Sequence, residues 1–187
     1  MAAGQQSHTV STLASGKILV AGGYYYDGSS YCAYFNTSEL YKSSTGFWTK
    51  TGNMTMGRTG HIITLFSNGK VLVICGYIYD IYYNSRMVNN SGQKNVNMST
   101  ERYLHTNTLW MNGKVLVAGG YGGNEYNCWG LLNSAEIYDP SAGIWTKGDN
   151  MTMSRIAHTA SLLSNEKVLV IGGTGYNGTL NSAELYS

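Results

Sequence analysis

The stretch Gly113-Lys-Val-Leu-Val-Ala-Gly-Gly120 occurs in recognisable form four times in this chain. Its relatives are Gly16 to Gly23, Gly69 to Gly76, where Cys75 replaces the first glycine of the closing pair, and Glu166 to Gly173. A β-branched run led by a lysine and closed by two glycines reads as a short strand running into a tightly packed place. Four copies make it a repeat. A histidine stands eight residues before each copy, and His8, His61, His105 and His158 are separated by 53, 44 and 53 residues.

Working outward from that strand, each unit opens with a segment such as His158-Thr-Ala-Ser-Leu-Leu, whose sixth residue is always large and apolar: Leu13, Phe66, Trp110 and Leu163. Ser-Gly or Asn-Gly at 15–16, 68–69 and 112–113 supplies a tight turn, so the first two strands of a unit form a hairpin. A variable loop follows. A third strand is read from Asn133-Ser-Ala-Glu-Ile-Tyr-Asp, with relatives at Asn36-Thr-Ser-Glu-Leu-Tyr and Asn181-Ser-Ala-Glu-Leu-Tyr. Nine residues after its glutamate, Trp48 or Trp145 opens a fourth strand, and Met54 or Met151 precedes the next histidine by seven. The repeats run approximately 1–53, 54–97, 98–150 and 151–187, within one domain spanning 1–187.

Composition agrees with short strands. The 187 residues are 43% hydrophobic, with 24 glycines, one proline and 16 tyrosines, a poor recipe for long helices. The net charge is +2, and most basic residues fall at repeated positions, which argues against a nucleic-acid surface. No apolar run approaches the roughly 18 residues that span a bilayer, and the first residues lack the pattern of a signal peptide. Asn-x-Ser/Thr patterns at Asn36, Asn53, Asn89, Asn97, Asn150 and Asn177 would suit an extracellular parent protein, although an Asn- and Thr-rich chain also makes some by chance. Cys32, Cys75 and Cys128 have neither a disulfide framework's parity nor zinc spacing.

The histidine-led strand, the double glycine, the later Glu-x-Tyr and the closing tryptophan resemble the kelch repeat over essentially the whole chain. The resemblance implies an all-β kelch-type β-propeller of about four blades, each repeat forming a four-stranded sheet. Two units depart from the pattern. Repeat 2 is nine residues short and has no Glu-x-Tyr or tryptophan between Tyr82 and Met98, so its outer strands are degenerate. Repeat 4 ends at Ser187, six residues before its tryptophan is due, leaving its blade incomplete. Two architectures follow: a four-blade module, or an open fragment of a larger propeller.

The repeated polar residues read as structural. Four histidines in one register make the same contact in successive units, and Arg58, Arg102 and Arg155, three residues before a histidine, anchor the start of the first strand or fringe a central channel. Glu39, Glu136 and Glu184 share a register too, bonding a neighbouring backbone or a lysine. No catalytic constellation, cofactor motif or metal-ligand set emerges.

The loops after the glycine pairs carry what differs between units. They hold 12 of the 16 tyrosines. Tyr24, Tyr25, Tyr26, Tyr31, Tyr34, Tyr77, Tyr79, Tyr82, Tyr83, Tyr121, Tyr126, Trp129 and Tyr176 form the candidate binding set, because tyrosine combines a stiff contact area with a polar tip. This reading makes the chain a non-enzymatic interaction module for a protein or peptide. A glycan-binding propeller is the alternative, through sugar stacked on rings. A third is a fragment of a galactose-oxidase-like copper enzyme, since that family is similar in its blades and uses tyrosine, histidine and a Tyr-Cys crosslink.

Overall fold

A computed structural model describes residues 1, 4–28, 32–80, 84–87, 98–124 and 127–186. Its described residues contain strands and turns and no helix. They fall into two compact units, Met1–Val88 and Asn89–Ser187.

The first unit contains β1 (Thr9–Thr12), β2 (Ile18–Ala21), β3 (Tyr24–Tyr26), β4 (Cys32–Tyr34), β5 (Ser38–Lys42), β6 (Phe47–Lys50), β7 (Ile62–Leu65), β8 (Val71–Ile74), β9 (Tyr77–Asp80) and β10 (Asn84–Met87). Strands β1-β2-β5-β6 form one antiparallel sheet, and β3-β4, β7-β8 and β9-β10 are hairpins. The second unit contains β11 (Glu101–Tyr103), β12 (Thr106–Leu109), β13 (Val115–Ala118), β14 (Tyr121–Asn124), β15 (Asn127–Leu131), β16 (Ala135–Asp139), β17 (Ile144–Lys147), β18 (Thr159–Leu162), β19 (Val168–Ile171), β20 (Thr174–Gly175), β21 (Gly178–Thr179) and β22 (Ala183–Tyr186). Its sheets are β12-β13-β16-β17, β11-β14-β15, β18-β19-β22 and β20-β21.

Repeats 1 and 3 thus build the four-stranded sheets that the sequence predicts, and repeat 4 builds three strands. The opening stretch is the second strand of each. In repeat 3 all four of its residues are buried, because both faces of β13 are covered. One face of that sheet, with Leu116, Ala118 and Ala135, packs on Val168, Val170 and Tyr186 of the next sheet, around Met151. Each such aliphatic side chain contributes roughly 1.5–3 kcal/mol by leaving water. The Glu-x-Tyr strand and the tryptophan strand meet in one register: Tyr41 lies opposite Trp48 and Tyr138 opposite Trp145. Their rings sit 5.0 and 5.1 Å apart at 42° and 41°. That tilted geometry adds about 0.5–1.5 kcal/mol beyond burial.

The segments after the glycine pairs differ from expectation. They are hairpins, β3-β4, β9-β10, β14-β15 and β20-β21, where the sequence suggests loops. The reason lies in a pairing that the repeat pattern hid. The residue after each glycine pair bridges to the residue two before the histidine of its own repeat: Tyr24 to Gln6, Tyr77 to Thr59, Tyr121 to Tyr103 and Thr174 to Ile156. That bridge extends the chain in β conformation, and the hairpin continues from it. In repeat 2 only the hairpins β7-β8 and β9-β10 are described, and 88–97 lie outside the described residues.

Candidate functional site

The repeated histidines, arginines and glutamates hold the sheets. In the first unit, His61 Nε2 lies 2.8 Å from Thr9 Oγ1 and 3.1 Å from the Ala21 carbonyl. In the second, His158 Nε2 lies 2.9 Å from Thr106 Oγ1 and bonds the Ala118 carbonyl. Each histidine therefore reaches back onto the sheet of the preceding repeat. Burial, then the positive charge of Arg58 or Arg155, lowers both imidazoles to about 4, against the smaller opposing effect of the carbonyl bond. They are neutral at pH 7, and their Nε2 atoms are committed to the neighbouring sheet.

The residue before each histidine has a positive φ: Ser7 53°, Gly60 62°, Leu104 54° and Ala157 51°. Nothing in the sequence marks this, since only one of the four is glycine. The glycine pair is explained from both sides. A Cβ on Gly119 would stand 2.7 Å from the Arg155 carbonyl and from His158 Cε1, and one on Gly120 would stand 2.7 Å from the Tyr103 carbonyl. The first glycine admits the next repeat, and the second admits the strand start of its own.

Arg58, Arg102 and Arg155 are fully buried. Arg102 donates to the Gly119 and Ser134 carbonyls at 3.0 and 2.8 Å and pairs with Glu136 Oε1 at 3.0 Å. Glu136 also accepts the N–H groups of Ser99 and Thr100. Arg155 repeats the arrangement with Gly172, Ser182 and Glu184, and Glu184 accepts from Thr152 and Met153. Burial alone would raise the Glu184 carboxyl, but bonds from Thr152 and Arg155 outweigh it and hold it below its usual range. Arg58 donates to the Cys75 carbonyl, and burial lowers its guanidinium to about 10. The glutamates thus bond backbone, as expected, with arginine as the charged partner in repeats 3 and 4. A polar recess of about 320 Å³ lined by Ser99, Thr100, Glu136, Lys147 and Asn150 lies beside the Arg102–Glu136 pair.

This geometry comprises histidine staples from His61 and His158 to the preceding sheets and Arg–Glu anchors in repeats 3 and 4. A family model described as Kelch motif matches residues 109–152. Those residues carry a kelch motif. No curated protein matches it.

The aromatic set divides within this framework. Tyr25, Tyr26, Trp129 and Tyr176 are exposed, at 43, 47, 44 and 73%. Tyr24, Tyr34, Tyr77 and Tyr121 are half-buried. Tyr24 stacks on Tyr34 at 5.8 Å across β3-β4, and Tyr121 packs on Tyr103 at 5.6 Å. These inner rings support the hairpins, while the outer ones face solvent. Tyr176 does both: its phenol accepts from the Leu131 N–H at 3.0 Å and fills the space left by Gly130, joining the hairpins of repeats 3 and 4. Tyr79 lies in β9, its side chain outside the described residues together with Tyr31, Tyr82, Tyr83 and Tyr126.

Proposed function

We infer that this kelch-repeat chain is a non-enzymatic interaction module that offers the aromatic tips of its hairpins to a protein or peptide. The observation that carries this reading is the division of labour among side chains. The histidines and arginines described above are spent on joining and anchoring sheets, whereas Tyr25, Tyr26 and Trp129 are left exposed on hairpins that differ from repeat to repeat. Rigid amphipathic rings give contact area at small entropic cost, which suits recognition of a peptide or protein surface.

Panning the chain against a random peptide library, with a glycan array in parallel, tests the reading. Selected peptides should bind the wild type and lose at least tenfold in affinity to Y25S/Y26S or W129S, with melting unchanged. Undiminished binding would place the site elsewhere, and hits confined to the array would make the ligand a glycan.

A further inference from the structure

Two departures from the repeat pattern meet in one recess. The large apolar residue that closes the first strand segment is Leu13, Phe66 or Leu163 in the other repeats and Trp110 in repeat 3. The turn joining the first two strands carries Gly16, Gly69 and Gly113 at φ 74°, 78° and 83°, whereas repeat 4 places Glu166 there at φ 63°. That backbone region favours glycine, so the turn alone gives no reason for a glutamate.

Trp110 and Glu166, with Asn112, Asn165 and Lys167, line a recess of about 310 Å³ between the turns of repeats 3 and 4. Both repeats belong to the second unit. The lining residues precede β13 and β19, and the glycine pairs with their hairpins follow the other ends of those strands.

Trp110 is half-buried and packs on the core between the two sheets, which holds its ring at the wall. The side-chain oxygens of Asn112 and Asn165 accept from the Lys114 and Lys167 N–H groups at 2.9 and 3.2 Å, leaving their NH₂ groups as donors. Glu166 and Lys167 are exposed and make no ion pair with a described residue. Lys114, by contrast, pairs with Asp139 at 3.1 Å, a position that is Ser187 in repeat 4. The recess therefore offers one aromatic wall, one carboxylate acceptor and several donors, with charges that cancel. An ion of either sign would meet a like charge there. A pyranose can use every group, its C–H face on the indole and its hydroxyls donating and accepting around it. The volume lies at the low end of the ~300–1,000 Å³ of small-molecule sites, which suits a single ring.

We propose that this recess is a subsite for one ring of a neutral sugar, stacked on Trp110, with one hydroxyl donating to Glu166 and others accepting from Lys167 and the asparagine amides. It is distinct from the hairpin face and does not depend on it.

The test titrates the full chain with the methyl glycosides of glucose, galactose and mannose, with methyl glucuronoside as the charged control, and reads affinity by saturation-transfer NMR. At least one neutral glycoside should bind with a Kd on the order of 1 mM. W110L and E166G restore residues that other repeats carry, so both should fold, and E166G should melt higher than the wild type. Each should weaken binding at least about tenfold. Y25S/Y26S and W129S should leave it unchanged. The proposal is overturned if no neutral glycoside binds up to about 50 mM, if E166G or W110L keeps wild-type affinity, or if the glucuronoside binds more tightly. A loss in Y25S/Y26S would put the sugar on the hairpin face and overturn it too. Should W110L fail to fold, E166G decides alone.

Discussion

Replacing Glu136 with Gln preserves shape and removes charge, and the surroundings make it almost as damaging as removal. Arg102 is fully buried and Glu136 is 3% exposed, with Arg102 Nη2 at 3.0 Å from Oε1. Oε1 also accepts from the Thr100 N–H, and Oε2 accepts from the Ser99 N–H at 2.7 Å. Both carboxylate oxygens thus face donors. A glutamine must turn its NH₂ toward one side or the other, setting donor against donor, while the guanidinium loses its counter-charge in a dry place. Breaking a buried pair from one side costs about 3–5 kcal/mol. E136A should therefore destabilise by roughly that amount, and E136Q by at least about 2 kcal/mol. The double variant R102M/E136L should recover part of the loss, because no buried charge remains although the Ser99 and Thr100 N–H groups lose their acceptor. Urea unfolding followed by tryptophan fluorescence reads all three. If E136Q unfolds at the wild-type midpoint, or the double variant is less stable than E136A, the pair is not an anchor.

G119A and G172A share a left-handed backbone, at φ 62° and 64°, but only Gly119 faces a carbonyl and an imidazole at 2.7 Å. Both should lose about 1–2 kcal/mol to backbone strain, and G119A about 1–3 kcal/mol more from overpacking; equal midpoints would show that the histidine does not close on the glycine. Acid should also weaken the fold through His61 and His158, whose folded forms take up a proton only near pH 4 against 6.5 ordinarily. Their contribution is complete at pH 7, is lost as pH falls from 6.5 to 4, and changes no further below that, amounting to roughly 3 kcal/mol for each. Melting at pH 7 and 4.5 should show the loss, and H61Q and H158Q should each flatten it; an unchanged slope would mean that these rings are solvated.

Much of the fold was legible because each repeated residue meets one recurring physical demand. Val115, Leu116 and Val117 announce a strand covered on both sides, and the nine-residue step from Glu136 to Trp145 sets the partner of Tyr138 across a hairpin. What the pattern hid was backbone. Ser7, Leu104 and Ala157 adopt a conformation that side-chain identity does not advertise, and the bridge from Tyr121 to Tyr103 uses only N–H and C=O groups. For that reason the hairpins read as loops. Tyr24, Tyr77 and Tyr121, which look like the first variable residues, occupy a shared backbone position whose side chain happens to be free to change. Exposure separated Tyr25 and Trp129 from Tyr34 and Tyr121, a distinction that composition cannot make.

The segment from methionine to arginine has a divided allegiance. Met151 and Arg155 bond by their N–H groups to Asn133 and Leu132, on the preceding repeat, and Gly120 bonds the Arg155 carbonyl. The Arg155 side chain, however, anchors the sheet that follows. Met54 and Arg58 bridge in the same way from Asn36 and Phe35 to Cys75. The unit that could be copied or excised is therefore not the sheet. A cut along a sheet boundary severs a seam, because the segment from methionine to arginine bonds the sheet before it through its backbone and the sheet after it through its arginine side chain.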